Sequence, residues 1–281
     1  MTHQVSALQA DRLAYRRRQA GRSAVIGLGS TFAVLAVAAA AVVSSPGWPR
    51  VRASFFDLAV ARDALPDVLV GLWLNVRLML VCGVFIVVLG LLLAVLRTLR
   101  SPVLLPLRLL ATAYVDLFRG LPVLLVIYLV GFGIPGLRLQ GLPSGVLFYG
   151  GLALVLSYSA YVAEVFRAGI ESVHPSQQLA ARGLGLTYGQ TMRRVVLPQA
   201  VRRVQPALLN DLVSLQKDSG LVSVLGVVDA IRAAQIEQFD NASFTPYVVA
   251  GVLFVMLTIP MTRLTDRLAR RQGWNGAGGV P

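Results

Sequence analysis

The sequence predicts an all-α, polytopic membrane protein with six transmembrane helices: a five-helix core, one extra N-terminal span, and a polar loop carried between spans. Three observations predict it. Of 281 residues, 56% are hydrophobic and only 14% charged, whereas soluble domains carry about 45–50% and about 25%. The apolar residues fall in long charge-free runs. The arginines collect at the ends of those runs.

Five windows lack charge: Ser23 to Pro49, Leu78 to Leu96, Gly120 to Leu137, Leu139 to Ala163, and Asn241 to Thr262. A spanning helix needs roughly 20 apolar residues, and each window supplies one, some with help from flanking residues. Span one is expected near Ala24–Ser44. An outer segment punctuated by Pro46, Pro49 and Pro66 follows. Span two is expected near Leu69–Leu96, span three near Leu109–Phe132 as a helix kinked by Pro122, and span four near Val146–Val165. A weaker fifth span, Val204–Gln216, is followed by an outer loop to Thr245, and span six covers Pro246–Leu268. Asp211, Lys217 and Asp218 border or lie in the fifth, so it must face protein or water rather than lipid. Gly83, Gly90, Gly131, Gly133, Gly150 and Gly151 permit close helix approach. The domain division follows: a basic, loosely ordered tail at 1–22, the first span and outer segment at 23–68, the core at 69–271 with a loop at 171–198, and a terminal tail at 272–281.

The formal net charge is +13. In a soluble chain that would point to nucleic acid. Here Arg12, Arg16, Arg17, Arg18 and Arg22 precede span one, and Arg97, Arg100 and Arg108 follow span two. Arg167, Arg182, Arg193, Arg194, Arg202 and Arg203 lie between spans four and five, and Arg263, Arg267, Arg270 and Arg271 close span six. On the other side Arg50, Arg52 and Arg62 are offset by Asp57, Asp63 and Asp67. This is the positive-inside pattern, with both termini cytoplasmic. It argues for a membrane protein and against nucleic acid as a partner. The apolar run beginning at Ala24 is too long for a signal-peptide core and reads as a retained anchor. One cysteine (Cys82) and two histidines (His3, His174) give no disulfide framework and no metal cluster, so no metal or cofactor is expected. Lys217 follows Gln216, so no phosphate-binding Gly-Lys-Ser/Thr loop exists.

The basic insert from Arg167 to Arg203 reads as a cytoplasmic surface held between membrane helices. Pro175-Ser176 starts a helix with Ser176 as its cap. Gly185 permits a left-handed turn. Thr187-Tyr188-Gly189-Gln190 has capping-box form and starts a second short helix, which Pro198 ends or kinks. The expected knob is small at Ala180, Ala181 and Gly185, which suits insertion into a partner's groove. The spacing alone favours an ordinary amphipathic surface helix over a docking knob.

The insert resembles the Glu-Ala-Ala loop of ABC importer permeases. Ala180, Ala181, Gly185, Leu197 and Pro198 match at the family's spacing, Val195 stands in the Ile position and Leu179 in the Glu position. Phe118-Arg119-Gly120-Leu121-Pro122, Tyr161-Val162-Ala163-Glu164-Val165-Phe166-Arg167-Ala168-Gly169-Ile170 and Ser214-Leu215-Gln216-Lys217-Asp218-Ser219-Gly220-Leu221-Val222-Ser223-Val224 resemble motifs of the polar amino-acid (histidine/glutamine-type) branch. Leu121 replaces Thr, and Ser219-Gly220 replaces Thr-Ser. The resemblance covers roughly Gly71 to Arg271. It implies a permease subunit that moves a small polar solute, an amino acid, by alternating access. It also implies the partners: a cytoplasmic ATPase dimer, an extracytoplasmic solute-binding protein and a second permease subunit, identical or homologous. The ATPase-coupling residues would be Leu179, Ala180, Ala181, Gly185, Leu186, Thr187, Leu197 and Pro198.

Candidate pathway residues are Arg119, Pro122, Tyr161, Glu164, Lys217 and Asp218. A guanidinium inside an apolar run is costly unless paired or wet, so Arg119 is expected to line the pathway or to pair with Asp116 or Glu164. Arg119 with Glu164 would offer a zwitterion one partner of each sign. Glu164 and Arg167 stand one helical turn apart and suit a simple ion pair. Lys217 is expected to pair with Asp218 at the outer mouth, and Arg77 to snorkel or pair. Asn75, Asn210 and Asp211 are expected to make interhelical hydrogen bonds. Two rival readings remain, an ion-coupled secondary transporter and a non-transporting scaffold. The first usually shows helices broken mid-membrane and internal repeats, and neither is legible here.

Overall fold

The computed structural model describes residues 7–98 and 102–271. The expectations for Met1 to Ser6, Arg100 and the 272–281 tail lie outside them. All regular structure among these residues is helical. The chain divides into two units, one up to Phe56 and one from Asp57 onward.

The first unit holds α1 (Ala7–Val43) and α2 (Trp48–Phe55). The stretch expected as a loose tail is helix from Ala7. No residue of the window Val25–Val43 is buried against the rest of the described protein, the pattern of a helix solvated by lipid.

The second unit opens on α3 (Leu58–Thr98), capped by Asp57, whose Oδ1 accepts from the Ala59 amide at 2.9 Å. The helix is longer than its charge-free window. It absorbs Pro66, which therefore does not punctuate an outer loop as expected. Val68, Gly71, Asn75, Met79, Cys82, Ile86, Gly90 and Leu93 form its buried stripe, at the three- and four-residue steps of one helix face. Val70, Leu80, Val81, Val84 and Val88 face outward.

The expected third span is not one kinked helix. α4 (Leu105–Gly120) and the segment from α5 (Val123–Tyr128) to α6 (Ile134–Gly136) are bent by 107°. Pro122 forces the preceding residue out of the helical region, and Leu121 is extended at φ −100°, ψ 137°. The kink expected at Pro122 is therefore a full break between two helices.

α7 (Val146–Glu171) is the central element and packs against α3, α4, α5 and α10. Gly90 lies against Val162 and Ala163, and Gly150 against Val222, each so closely that a Cβ would collide. α8 (Pro175–Gly183) and α9 (Tyr188–Thr191) follow. α9 is not a separate short helix. It runs through a π-turn at Met192–Val196 into α10 (Leu197–Asp218), and the turn takes up Pro198 without ending the helix. The expected outer loop is largely helical: a 3₁₀ stretch at Ser219–Leu225 and α11 (Ala230–Asn241) precede α12 (Thr245–Arg271). Among the described residues, four helices are long and apolar enough to cross a membrane, or six if each of two bent pairs counts as one span.

Candidate coupling loop and transport site

α8 begins at Pro175. Its cap is His174, whose Nδ1 accepts from the Ser176 amide at 3.3 Å, so Ser176 is not the cap expected from the sequence. Histidine was overlooked because its ring nitrogen is an uncommon cap acceptor. The turn after α8 is as the sequence predicts. Gly185 has φ +85°, and Thr187 and Gln190 form a complete capping box at 2.9 and 3.3 Å.

The exposed knob differs from expectation. Ala180 and Gly185 are exposed, but Ala181 is buried. It sits one residue round the helix from Ala180, on the side of α8 that packs against α9 and the π-turn after it. The apolar tips of the loop are Leu179 and Leu184, 68% and 85% exposed. Leu184 stands between Gly183 and Gly185, which offer it no side chain to pack on and themselves meet open space. Leu186 and Leu197 are half-buried, and Thr187 and Pro198 are exposed.

The pathway candidates gather on α7. Glu164 binds Arg97 of α3 at 2.9 Å, Arg167 one turn on, and Arg119 of α4 at 3.6 Å. Arg167 also holds Glu171 at 2.6 Å. Both expected partners of Glu164 are therefore present. Arg97 was read only as a topological arginine, because nothing local in the sequence links residues so far apart. The Tyr161 hydroxyl reaches the Arg119 carbonyl at 3.5 Å. Three residues earlier, Tyr158 donates to Asp218 at 2.8 Å, and the two tyrosine rings lie 6.2 Å apart. Tyr158, Tyr161 and Glu164 thus form a stripe about 9 Å long on α7 at 1.5 Å per residue, touching Asp218 at one end and Arg119 at the other. Pro122 is exposed beside the helix break.

Lys217 and Asp218 do not pair among the described residues. Neighbours in a helix diverge by about 100°, and Lys217 points past Ile231 and Phe254 while Asp218 takes Tyr158. Arg77 lies over the Trp73 ring at 5.8 Å. Asn75 makes the expected interhelical bonds, donating to Asp229 at 3.0 Å and accepting from the Ala230 amide at 3.1 Å. Asp211 does not: its buried Oδ2 finds no partner among the described residues, and Asn210 is exposed. No group of three potential metal ligands occurs among the described residues.

Apolar helices around a half-buried stripe of charge on α7, with a capped helical loop beside them, define a polytopic helical membrane protein of the permease class. The chain belongs to the family of binding-protein-dependent transport system inner membrane components, whose model matches residues 86–274. It is a permease subunit of an ABC transporter of the bacterial inner membrane, is not itself an enzyme, and works with separate ATPase and solute-binding subunits. It is similar to the arginine transport system permease protein ArtQ of Bacillus subtilis, 31% identical over 76% of this chain and 96% of that protein. The glutamate transport system permease protein GluC of Corynebacterium glutamicum is 36% identical over 74% and 96%. Among solved structures, an amino acid ABC transporter crystallised with histidines is 32% identical, with a TM-score of 0.69 over 76% of this chain and 98% of that one. The MetNI methionine ABC transporter, 21% identical at a TM-score of 0.61 over 73% and 95%, shares the fold.

Proposed function

We propose that this chain imports an amino acid by alternating access, with six spans, cytoplasmic termini and a cytoplasmic loop at 171–198 that docks the ATPase dimer. The observation that carries this reading is the stripe of α7, with Tyr158 on Asp218 at one end and Glu164 on Arg119, next to the helix break at Pro122, at the other. Glu164 is shared by three guanidiniums, and Arg119, the most exposed of the three at 42%, is the one free to reach a solute carboxylate. The solutes named for the relatives, arginine and glutamate, support an amino acid. Leu179, Ala180, Gly185 and Leu184 form the docking tip, while Ala181, Leu186, Thr187, Leu197 and Pro198 hold its shape. A second permease subunit completes the pathway.

The broken helix between α4 and α5 favours one rival, transport driven by an ion gradient. Reconstitution with the ATPase and binding protein separates the two. The proposal requires ATP hydrolysis stimulated by loaded binding protein and uptake abolished without ATP. Uptake driven by a proton or sodium gradient with this chain alone would overturn it.

A further inference from the structure

Along the contact of α3 with α7 runs a groove of about 800 Å³. Its walls are apolar: Leu78, Val81 and Phe85 on α3, and Phe148, Leu152 and Val155 on α7. Gly151 is part of the wall and brings no side chain to fill the space. The groove is open, since Val81, Phe85 and Phe148 are exposed. Among the described residues Arg77 is the one charged residue that lines it. Arg77 precedes the charge-free run from Leu78 to Leu96, and Arg97 closes that run. The 20 residues from Arg77 to Arg97 span about 30 Å of helix, the thickness of the hydrocarbon layer. Arg77 therefore stands at headgroup level, and the groove descends from it among the acyl chains. Its side chain is exposed and lies 5.8 Å from the centre of the Trp73 ring. No carboxylate or carbonyl accepts from it among the described residues, so the five N–H groups of its fork are unspent.

We infer that the groove seats an anionic phospholipid, with Arg77 on the headgroup phosphate and an acyl chain along the apolar walls. A guanidinium fork matches two phosphate oxygens. Basic pockets between spanning helices suit anionic headgroups for this reason. A zwitterionic headgroup carries its own cation to balance the phosphate, whereas an anionic one leaves Arg77 as the nearest counter-charge. The chain's own first span offers no such partner. Between Ser23 and Phe56 it carries Arg50 and Arg52 and no carboxylate. A lipid supplies both the anion and the tail that the groove lacks.

The test uses the full chain in nanodiscs of equal parts phosphatidylcholine and phosphatidylglycerol, released into mild detergent for native mass spectrometry. No ATP, solute or partner subunit is present, so the result does not depend on what the protein transports. Wild type should retain phosphatidylglycerol about tenfold over phosphatidylcholine, the value of one charged hydrogen bond. Arg77→Ala should abolish that preference, and Arg77→Lys should keep part of it, because the charge stays and the fork is lost. Val81→Trp, at an exposed position, fills the groove and should lower retention of both lipids severalfold. In pure phosphatidylcholine discs Arg77→Ala should unfold at the wild-type temperature, which separates lost binding from misfolding. Equal retention of the two lipids by wild type, or the same preference in wild type and Arg77→Ala, overturns the inference. So does a Val81→Trp variant that changes subunit number and leaves lipid retention alone, since the groove would then be a protein interface. A disulfide between Val81→Cys and Val34→Cys in a Cys82→Ala background overturns it too, because α1 would then be the occupant.

Discussion

Arg97 at the end of α3 donates to Glu164 of α7 at 2.9 Å across 67 residues of chain. Glu164 also holds Arg119 and Arg167, so one carboxylate ties α3 and α4 to the helix that leads into the coupling loop. Its removal takes the carboxylate from Arg97 and Arg119 and leaves Arg167 with Glu171 alone. Glu164→Gln is expected to cost roughly 2–4 kcal/mol, between the limits for exposed and buried pairs. Thermal unfolding in nanodiscs measures this, and a change within error of zero would show that the cluster is ornamental. A double-mutant cycle with Arg97→Ala isolates the α3–α7 bond.

Arg119 has a separate role. It is the most exposed member of the cluster and binds Glu164 most loosely, at 3.6 Å. Arg119→Ala is expected to reduce solute uptake at least about tenfold, the value of one charged hydrogen bond, with little loss of stability. Arg119→Lys keeps the charge but not the fork and should recover part of the uptake. Equal uptake by all three proteins would remove Arg119 from the pathway.

The sequence made the elements that depend on local chemistry legible. The charge-free windows located the cores of α1, α3, α7 and α12. Gly185 and the Thr187–Gln190 box gave the coupling turn residue by residue, because a positive φ and a cap are decided within four residues. The pairing of Glu164 with Arg167 and Arg119 was legible too, the first from helical spacing and the second from the cost of a guanidinium in an apolar run. Long-range consequences were not. Nothing near Arg97 announces Glu164. The break at Leu121 looked like a kink, because one proline supports either outcome and neighbouring helices decide which. α11 was missed because its sequence lacks an apolar stripe; Asp229 caps it and Asn75 of α3 holds that cap.

Gly90 lies against Val162 and Ala163 with no room for a Cβ. Both helices are long and held along their length, so neither can retreat at one point. Gly90→Val is expected to cost about 1–3 kcal/mol through overpacking, whereas Gly133→Ala, which meets open space, should be near neutral. Thermal unfolding of both variants makes the comparison, and equal losses would show that the α3–α7 contact is looser than the structure has it.

Leu184 is the test of sidedness. It is 85% exposed at the tip of the loop, where a large apolar side chain costs free energy unless a partner covers it. The protein's one native thiol, Cys82, is buried, so Leu184→Cys in a Cys82→Ala background carries a single reactive group. In intact cells a membrane-impermeant maleimide should leave it unlabelled, and in inverted vesicles it should label fully. Adding the ATPase should slow that labelling several-fold, because the docked subunit covers the tip. Leu184→Asp should leave unfolding temperature unchanged, since the residue packs on nothing within the chain, yet abolish ATP hydrolysis stimulated by the binding protein. Labelling from the outer side would place the loop in the wrong compartment, and labelling indifferent to the ATPase would show that the tip is not where the subunits meet.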